Sequence, residues 1–306
     1  MSIVVVGSVA LDTIHTPSST HEELAGGSAC YFSLAARHFR PVGVVAVVGE
    51  DFPQRHLDLL ARRDIDLTGL AREPGRTFRW EGVYAEDPNQ RRTLRTELGV
   101  FERFHPTLPE AYIGAEALFL ANIEPNLQLE VLDAAGEIPL VAVDTMNFWI
   151  EGNRPAVDRV IARAQVLLIN DEEAHLLTGT ANPAVAAEQI RERGPEVVVI
   201  KKGAHGVAAR GPWGWLVLPA LPVTEVLDPT GAGDSFAGGL IGYLADRDWR
   251  DRDLFAAGLA LATSVASLVV GEFGVGAIAE DRSDELRARC HRLHEATRFE
   301  VPRTFR

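Results

Sequence analysis

Six short runs of apolar residues, at 3–6, 42–48, 117–121, 140–143, 166–169 and 197–200, contain no polar or charged side chain. A strand with one wet face alternates apolar and polar residues, so runs without alternation point to strands buried on both faces. Helix-like stretches lie between several of these runs, at 29–39, 127–135, 154–164 and 183–193. Strand alternating with helix predicts an α/β fold, a mainly parallel central sheet with helices on both faces. The C-terminal third reads as helical, at 233–245, 253–270 and 284–297.

One region breaks this rhythm. From Thr77 to Thr96 two alternating, aromatic- and Thr-bearing runs flank the turn-rich Glu86-Asp87-Pro88-Asn89, which predicts a hairpin. With strand at about 12–20, it would form a small β-sheet lid on the main body. No internal repeat and no Pro/Ser-rich linker divides the chain, so residues 1–306 read as a single domain.

Charge narrows the partners. Thirty basic against 43 acidic residues leave a net −13, which disfavours a nucleic-acid binder working through a broad basic field. The basic residues are 28 Arg and two Lys, and those two are adjacent, Lys201 and Lys202. Cys30 and Cys290 are too few for a disulfide framework or a Cys-rich zinc site. The N-terminal run lacks a basic flank and a cleavage site, and no apolar stretch approaches the ~18–20 residues of a membrane span. These features are read as a cytoplasmic protein with neither a membrane nor a nucleic-acid partner.

The stretch LDPTGAGDSFAGGL, 227–240, carries the most chemistry. Small residues let successive backbone N–H groups converge, and the helix starting there adds its positive dipole end, so the turn suits a phosphate or a developing oxyanion. Asp234 beside such a site would oppose simple anion binding but would serve as a base for a hydroxyl attacking phosphorus. The string alone fits a capped helix with packing glycines equally well. Two other nucleotide-binding patterns, G-x-x-x-x-G-K-[ST] and a G-x-G-x-x-G after the first strand, are missing from the text.

DPTGAGDSFAGG resembles the C-terminal signature of the ribokinase-like (PfkB) carbohydrate kinases. The resemblance implies that Asp234 is the catalytic base and that the backbone of Gly231, Ala232 and Gly233 forms the anion hole. It extends along most of the chain. Val6-Gly7-Ser8-Val9-Ala10-Leu11-Asp12 is similar to the family's first strand, whose aspartate binds substrate hydroxyls. Gly26-Gly27 before a helix is similar to the motif lying against the sugar, and Val48-Gly49-Glu50-Asp51-Phe52 to the VG-x-D segment. Asn170-Asp171-Glu172-Glu173 fits the Asn-x-x-Glu element, implying that Asn170 and Glu173 serve the nucleotide, with Glu173 organising the water shell of Mg²⁺. Asp228 matches a position that holds a monovalent cation in potassium-activated members, and serves equally as a turn-initiating residue before Pro.

Two departures from the family pattern matter, one on the substrate side and one near the nucleotide. Tyr31 stands where many members carry a substrate-binding Asn; a phenol can make one such bond, and Tyr31 and Phe32 serve equally as core aromatics. After the strand at 197–200, a Thr-x-Gly-x-x-Gly turn near the nucleotide is replaced by Lys201-Lys202-Gly203-Ala204-His205-Gly206. An ammonium at Lys201 would meet a phosphate as a point charge, and Lys202 would face away by alternation. With Gly203 and Gly206 it completes the expected nucleotide side. Phe78 and Trp80 on the lid, and Phe148-Trp149 after a strand, are apolar surfaces for stacking or packing. Arg79, Arg91, Arg92 and Arg95 form either an anion-recognising cluster or a solvated face.

The expected activity is an ATP- and Mg²⁺-dependent kinase, with K⁺ a further expected cofactor through Asp228. Its acceptor would be a hydroxyl, preferably primary, of a sugar or sugar-like small molecule. A nucleoside kinase or an inositol (cyclitol) kinase on the same fold stays open, as does a catalytically silent ligand-binding relative. The lid strands would also allow a homodimer.

Overall fold

The computed structural model describes residues 1–85 and 91–298; the turn Glu86-Asp87-Pro88-Asn89 falls outside them. The first seven strands are β1 (Ile3–Val6), β2 (Ala10–His15), β3 (Thr20–Gly26), β4 (Val42–Gly49), β5 (Ile65–Glu73), β6 (Phe78–Tyr84) and β7 (Arg91–Glu97). Six more follow: β8 (Ala117–Leu120), β9 (Leu140–Asp144), β10 (Val166–Asn170), β11 (Val197–Lys201), β12 (Val207–Gly211) and β13 (Gly214–Leu218).

The apolar runs pair with one another. Nine strands form one sheet in the order β13-β12-β11-β10-β9-β8-β1-β4-β5, parallel except for the antiparallel β11-β12-β13 edge. Successive side chains of a strand face opposite ways. Ile3, Val5, Val44, Ala46, Val197 and Val199 therefore enter one core layer. Val4, Val6, Val45, Val47, Val198 and Ile200 enter the other. The first layer is closed by the helices Ser28–Ala36, Ala232–Leu244 and Arg252–Val269. The second is closed by Pro125–Ala134, Arg154–Ile161, Asp171–Thr178 and Pro183–Arg191.

Strands β5, β12 and β13 extend the sheet beyond the six runs. They lie at its margins, where exposure on one side admits polar residues and weakens the apolar signal. The helix Arg252–Val269 corrects a sequence-based expectation. By length and composition it could cross a membrane, although no stretch was expected to approach that; more than half of it is buried inside the fold.

The second sheet is the lid, in the order β3-β2-β6-β7. It is larger than the expected 12–20 and 77–96, because the chain returns along β3 to Gly26. Gly26 is thus a strand residue rather than part of a loop. β2 leaves the C-terminal end of β1 and β6 follows β5, so the two lid strands run outward side by side and pair in parallel.

Candidate active site

Two helices that begin at the C-terminal edge of the main sheet, Ser28–Ala36 and Ala232–Leu244, pack along each other. Their first turns are therefore neighbours, although about 200 residues separate them. Gly231 caps the second helix with φ 72°, in the left-handed region that favours glycine. A Cβ on Gly231 would also fall 2.3 Å from the ring of Tyr31. The Ala232 amide donates to the Pro229 carbonyl at 3.2 Å. Amides in the first turn of a helix lie beyond the reach of its own carbonyls and carry its positive end, and Gly233 and Asp234 stand on this turn. Asp234 stands on this turn, partly exposed.

The expected substrate side adjoins it. Asp12 is buried, and its carboxylate lies so close to Gly26 that a Cβ there would meet Oδ2 at 1.9 Å. Gly27, at φ 91°, caps the helix carrying Tyr31. Ser8 ties the end of β1 to that helix, accepting from the Ala29 amide at 2.9 Å and donating its own amide to Ser28 Oγ at 3.2 Å. Tyr31 is 1% exposed. Its hydroxyl has no hydrogen-bond partner among the described residues. Burial, with Asp12 and Asp228 nearby, pushes its pKa well above the usual phenol range, so it stays a neutral donor.

On the expected nucleotide side, three neighbouring strands end in a polar residue: Asp144 on β9, Asn170 on β10 and Lys201 on β11. Asn170 and Glu173 form a reciprocal cap. The Glu173 amide donates to Asn170 Oδ1 at 2.8 Å, and the Asn170 amide to Glu173 Oε2 at 2.7 Å. Lys201 Nζ donates to Asp144 Oδ2 at 2.9 Å and lies 3.5 Å from where a Cβ on Gly233 would stand, beside the Gly231–Gly233 turn. Lys202 forms no ion pair with any described residue, whereas its neighbour is drawn inward. Gly203 opens a short exposed 3₁₀ turn closed by a bond from the Lys202 amide to the Gly206 carbonyl at 2.8 Å.

The electrostatics of this corner are coupled. Burial, then repulsion from Asp144, raises the Glu173 pKa to about 8, against the attraction of Lys201. Burial disfavours the Lys201 ammonium, but Asp144 and Glu173 outweigh it and raise its pKa above the ordinary value. A hydrated cation beside phosphates would favour the ionised form of Glu173 and then face two carboxylates, Glu173 and Asp144, against one ammonium. Among the described residues no three His, Cys, Asp or Glu side chains gather for direct chelation. From sequence, Asp144 was assigned no role, only a place at the end of its strand where ligands bind in such sheets. A polar residue closing an otherwise apolar strand was the available signal.

Asp228 is fully buried. Its Oδ1 accepts from the Thr230 amide at 2.9 Å and its Oδ2 from the Gly274 amide at 3.0 Å, so one carboxylate joins two loops. On the lid, Phe78 stacks on Phe101 at 5.5 Å, and the Trp80 indole donates to Thr93 Oγ1 at 3.2 Å. Arg79 pairs with Asp51 at 3.0 Å, and Arg95 pairs with Glu97. Trp149 donates to Asn122 Oδ1 at 3.0 Å, and Phe148 is 62% exposed.

Residues 1–282 match the sequence profile of the pfkB family carbohydrate kinases. The chain is 31% identical to the cytidine kinase of Thermococcus kodakarensis over 255 residues, 81% of this chain and 90% of that protein. Its fold superposes on the Burkholderia thailandensis nucleoside kinase in complex with inosine with a TM-score of 0.80, at 21% identity, covering 96% of this chain and 99% of the other. For the ribokinase of Thermotoga maritima the TM-score is 0.76, at 20% identity, covering 95% and 99%. The fold is thus ribokinase-like, with its lid. By sequence and fold together, the chain belongs to the pfkB family of carbohydrate kinases, phosphotransferases with an alcohol group as acceptor.

Proposed function

We propose that the protein is a nucleoside kinase, transferring the γ-phosphoryl group of ATP to a primary hydroxyl on the sugar of a nucleoside. The observation that carries this reading is the likeness to a cytidine kinase across nine-tenths of that relative's length. It moves the balance away from a free sugar, the acceptor first expected. Tyr31, in place of an amide side chain, brings an unpartnered phenol close to Asp12.

In this reading Asp12 and the Gly26-Gly27 backbone orient the sugar. Asp234 accepts the proton of the attacking hydroxyl as the oxygen approaches phosphorus in line. The Gly231–Gly233 turn and the Lys201 ammonium stabilise the charge on the transferring group. Asn170 holds Glu173 in place, and Glu173, with Asp144 behind it, orients the water shell of a metal ion. Kinases of this family use ATP and Mg²⁺, and the bound ion offsets phosphate charge. The lid covers the acceptor and keeps water from competing for the phosphoryl group.

The test is phosphoryl transfer from Mg·ATP to cytidine, inosine, other nucleosides, ribose, fructose and inositol. Nucleosides should lead by about tenfold or more in kcat/KM, the discrimination available from contacts to a base. A preference for inositol or a free sugar would overturn the nucleoside reading. Transfer to no acceptor, with a nucleoside still bound, would instead mark a silent relative. Asp234→Asn should lower kcat by roughly 10²–10⁴ while nucleoside affinity persists. Near-normal turnover in that variant would remove Asp234 from the role of base.

A further inference from the structure

A pair of hydroxyls joins the lid to the turn that opens the Ala232–Leu244 helix. In β6, residues 80, 82 and 84 share a face, and Trp80 is register partner to Asp12 on the adjacent parallel strand. That face therefore looks the same way as the substrate-side carboxylate. At its end stands Tyr84, 5% exposed, with its hydroxyl 2.8 Å from Thr230 Oγ1. Thr230 directly precedes Gly231, the left-handed cap that starts the anion-hole helix.

The turn is held from three directions. The Thr230 amide is anchored on Asp228 from below. The Tyr31 ring lies against Gly231 on the body side. Tyr84 reaches it from the lid. A second lid contact leads to the same carboxylate: His21 of β3 stacks on Phe273 with centroids 3.8 Å apart, and the next amide, Gly274, donates to Asp228 Oδ2. Two lid strands thus touch two loops that one buried aspartate joins.

We infer that Tyr84 is a positioning residue: with the lid shut it holds Thr230, and so sets the Gly231–Gly233 turn for phosphoryl transfer. With the lid open, Thr230 loses the Tyr84 bond while keeping its Asp228 anchor, and a turn built on Gly231 has more freedom to drift. Anion-hole donors act through placement, so small drift weakens them strongly. The anion hole is then complete only when the acceptor is covered. This inference rests on the kinase reading of the site.

The experiment compares wild type with Tyr84→Phe, Thr230→Val, the double variant and Thr230→Ser. It measures acceptor phosphorylation, together with hydrogen exchange of the amides at 230–235. Each single hydroxyl deletion should lower kcat about five- to tenfold, the scale of one hydrogen bond, with acceptor KM moving less than about twofold. The double variant should be no worse than the worse single, and Thr230→Ser should retain kcat. Exchange at 230–235 should quicken in Tyr84→Phe. Losses that multiply in the double variant, or an altered KM with kcat untouched, would overturn the inference. If the wild type phosphorylates no acceptor, the kinase reading fails by itself. The exchange comparison then still decides whether Tyr84 holds the turn, and unchanged exchange refutes it.

Discussion

Lys201 and Asp144 illustrate how one residue's role depends on another far along the chain. Lys201 was legible as a charge near the nucleotide, since it follows an apolar strand and precedes a glycine turn. What the text could not convey is that its ammonium is already paired, with side chains 18% and 8% exposed. A buried pair is costly to break because the remaining charge has no solvent. Lys201→Met should therefore destabilise the fold by on the order of 3 kcal/mol, read from denaturant unfolding. Adding Asp144→Asn should recover much of that stability without restoring phosphoryl transfer. Full recovery of activity in the double variant would show that the ammonium serves only the fold.

At the scale of elements, the lid depends on a residue outside it. Asp51, in the turn after β4, accepts from the Thr77 amide and hydroxyl, both at 2.7 Å, and from Arg79 at 3.0 Å. Thr77 Oγ1 in turn accepts from the Gly49 amide at 3.0 Å. The VG-x-D segment was recognisable as a string, but its work as the lid's anchor required β6 to be in view. Burial would raise the Asp51 pKa; the Thr77 and Arg79 hydrogen bonds outweigh it and hold the value below the ordinary 3.8. With the folded pKa depressed, its stabilisation is complete above the ordinary value and is lost as pH falls through the folded one. Asp51→Asn should raise acceptor KM and speed proteolysis in the lid at neutral pH. Its stability deficit should shrink toward zero in acid below about pH 3.8. A deficit that stayed constant well below pH 3.8 would contradict the anchor.

For the whole molecule, occupancy of the cleft should appear as stability. A ligand that binds only the folded state at 100 times its Kd adds about 2.7 kcal/mol. Cytidine or inosine should raise Tm, and Mg·ATP should raise it further. A Tm response to ribose or inositol, with none to nucleosides, would argue against the proposed acceptor.

The α/β class and the mainly parallel sheet were legible in the sequence alone, because short unbroken apolar runs alternating with helix-like stretches fit strands buried on both faces. The Gly231–Gly233 turn was legible as a motif, since its glycines and Asp234 fall within one helical turn of each other. Tertiary structure decided the rest. The Lys201–Asp144 pair spans 57 positions and the Tyr84–Thr230 bond 146. The return of the chain along β3, which makes Gly26 a lid residue, was likewise invisible in a polar, partly exposed stretch. Local patterns act over a few residues, whereas which strand ends meet depends on sheet order. That order is set when two apolar faces are buried at once, and no single segment encodes it.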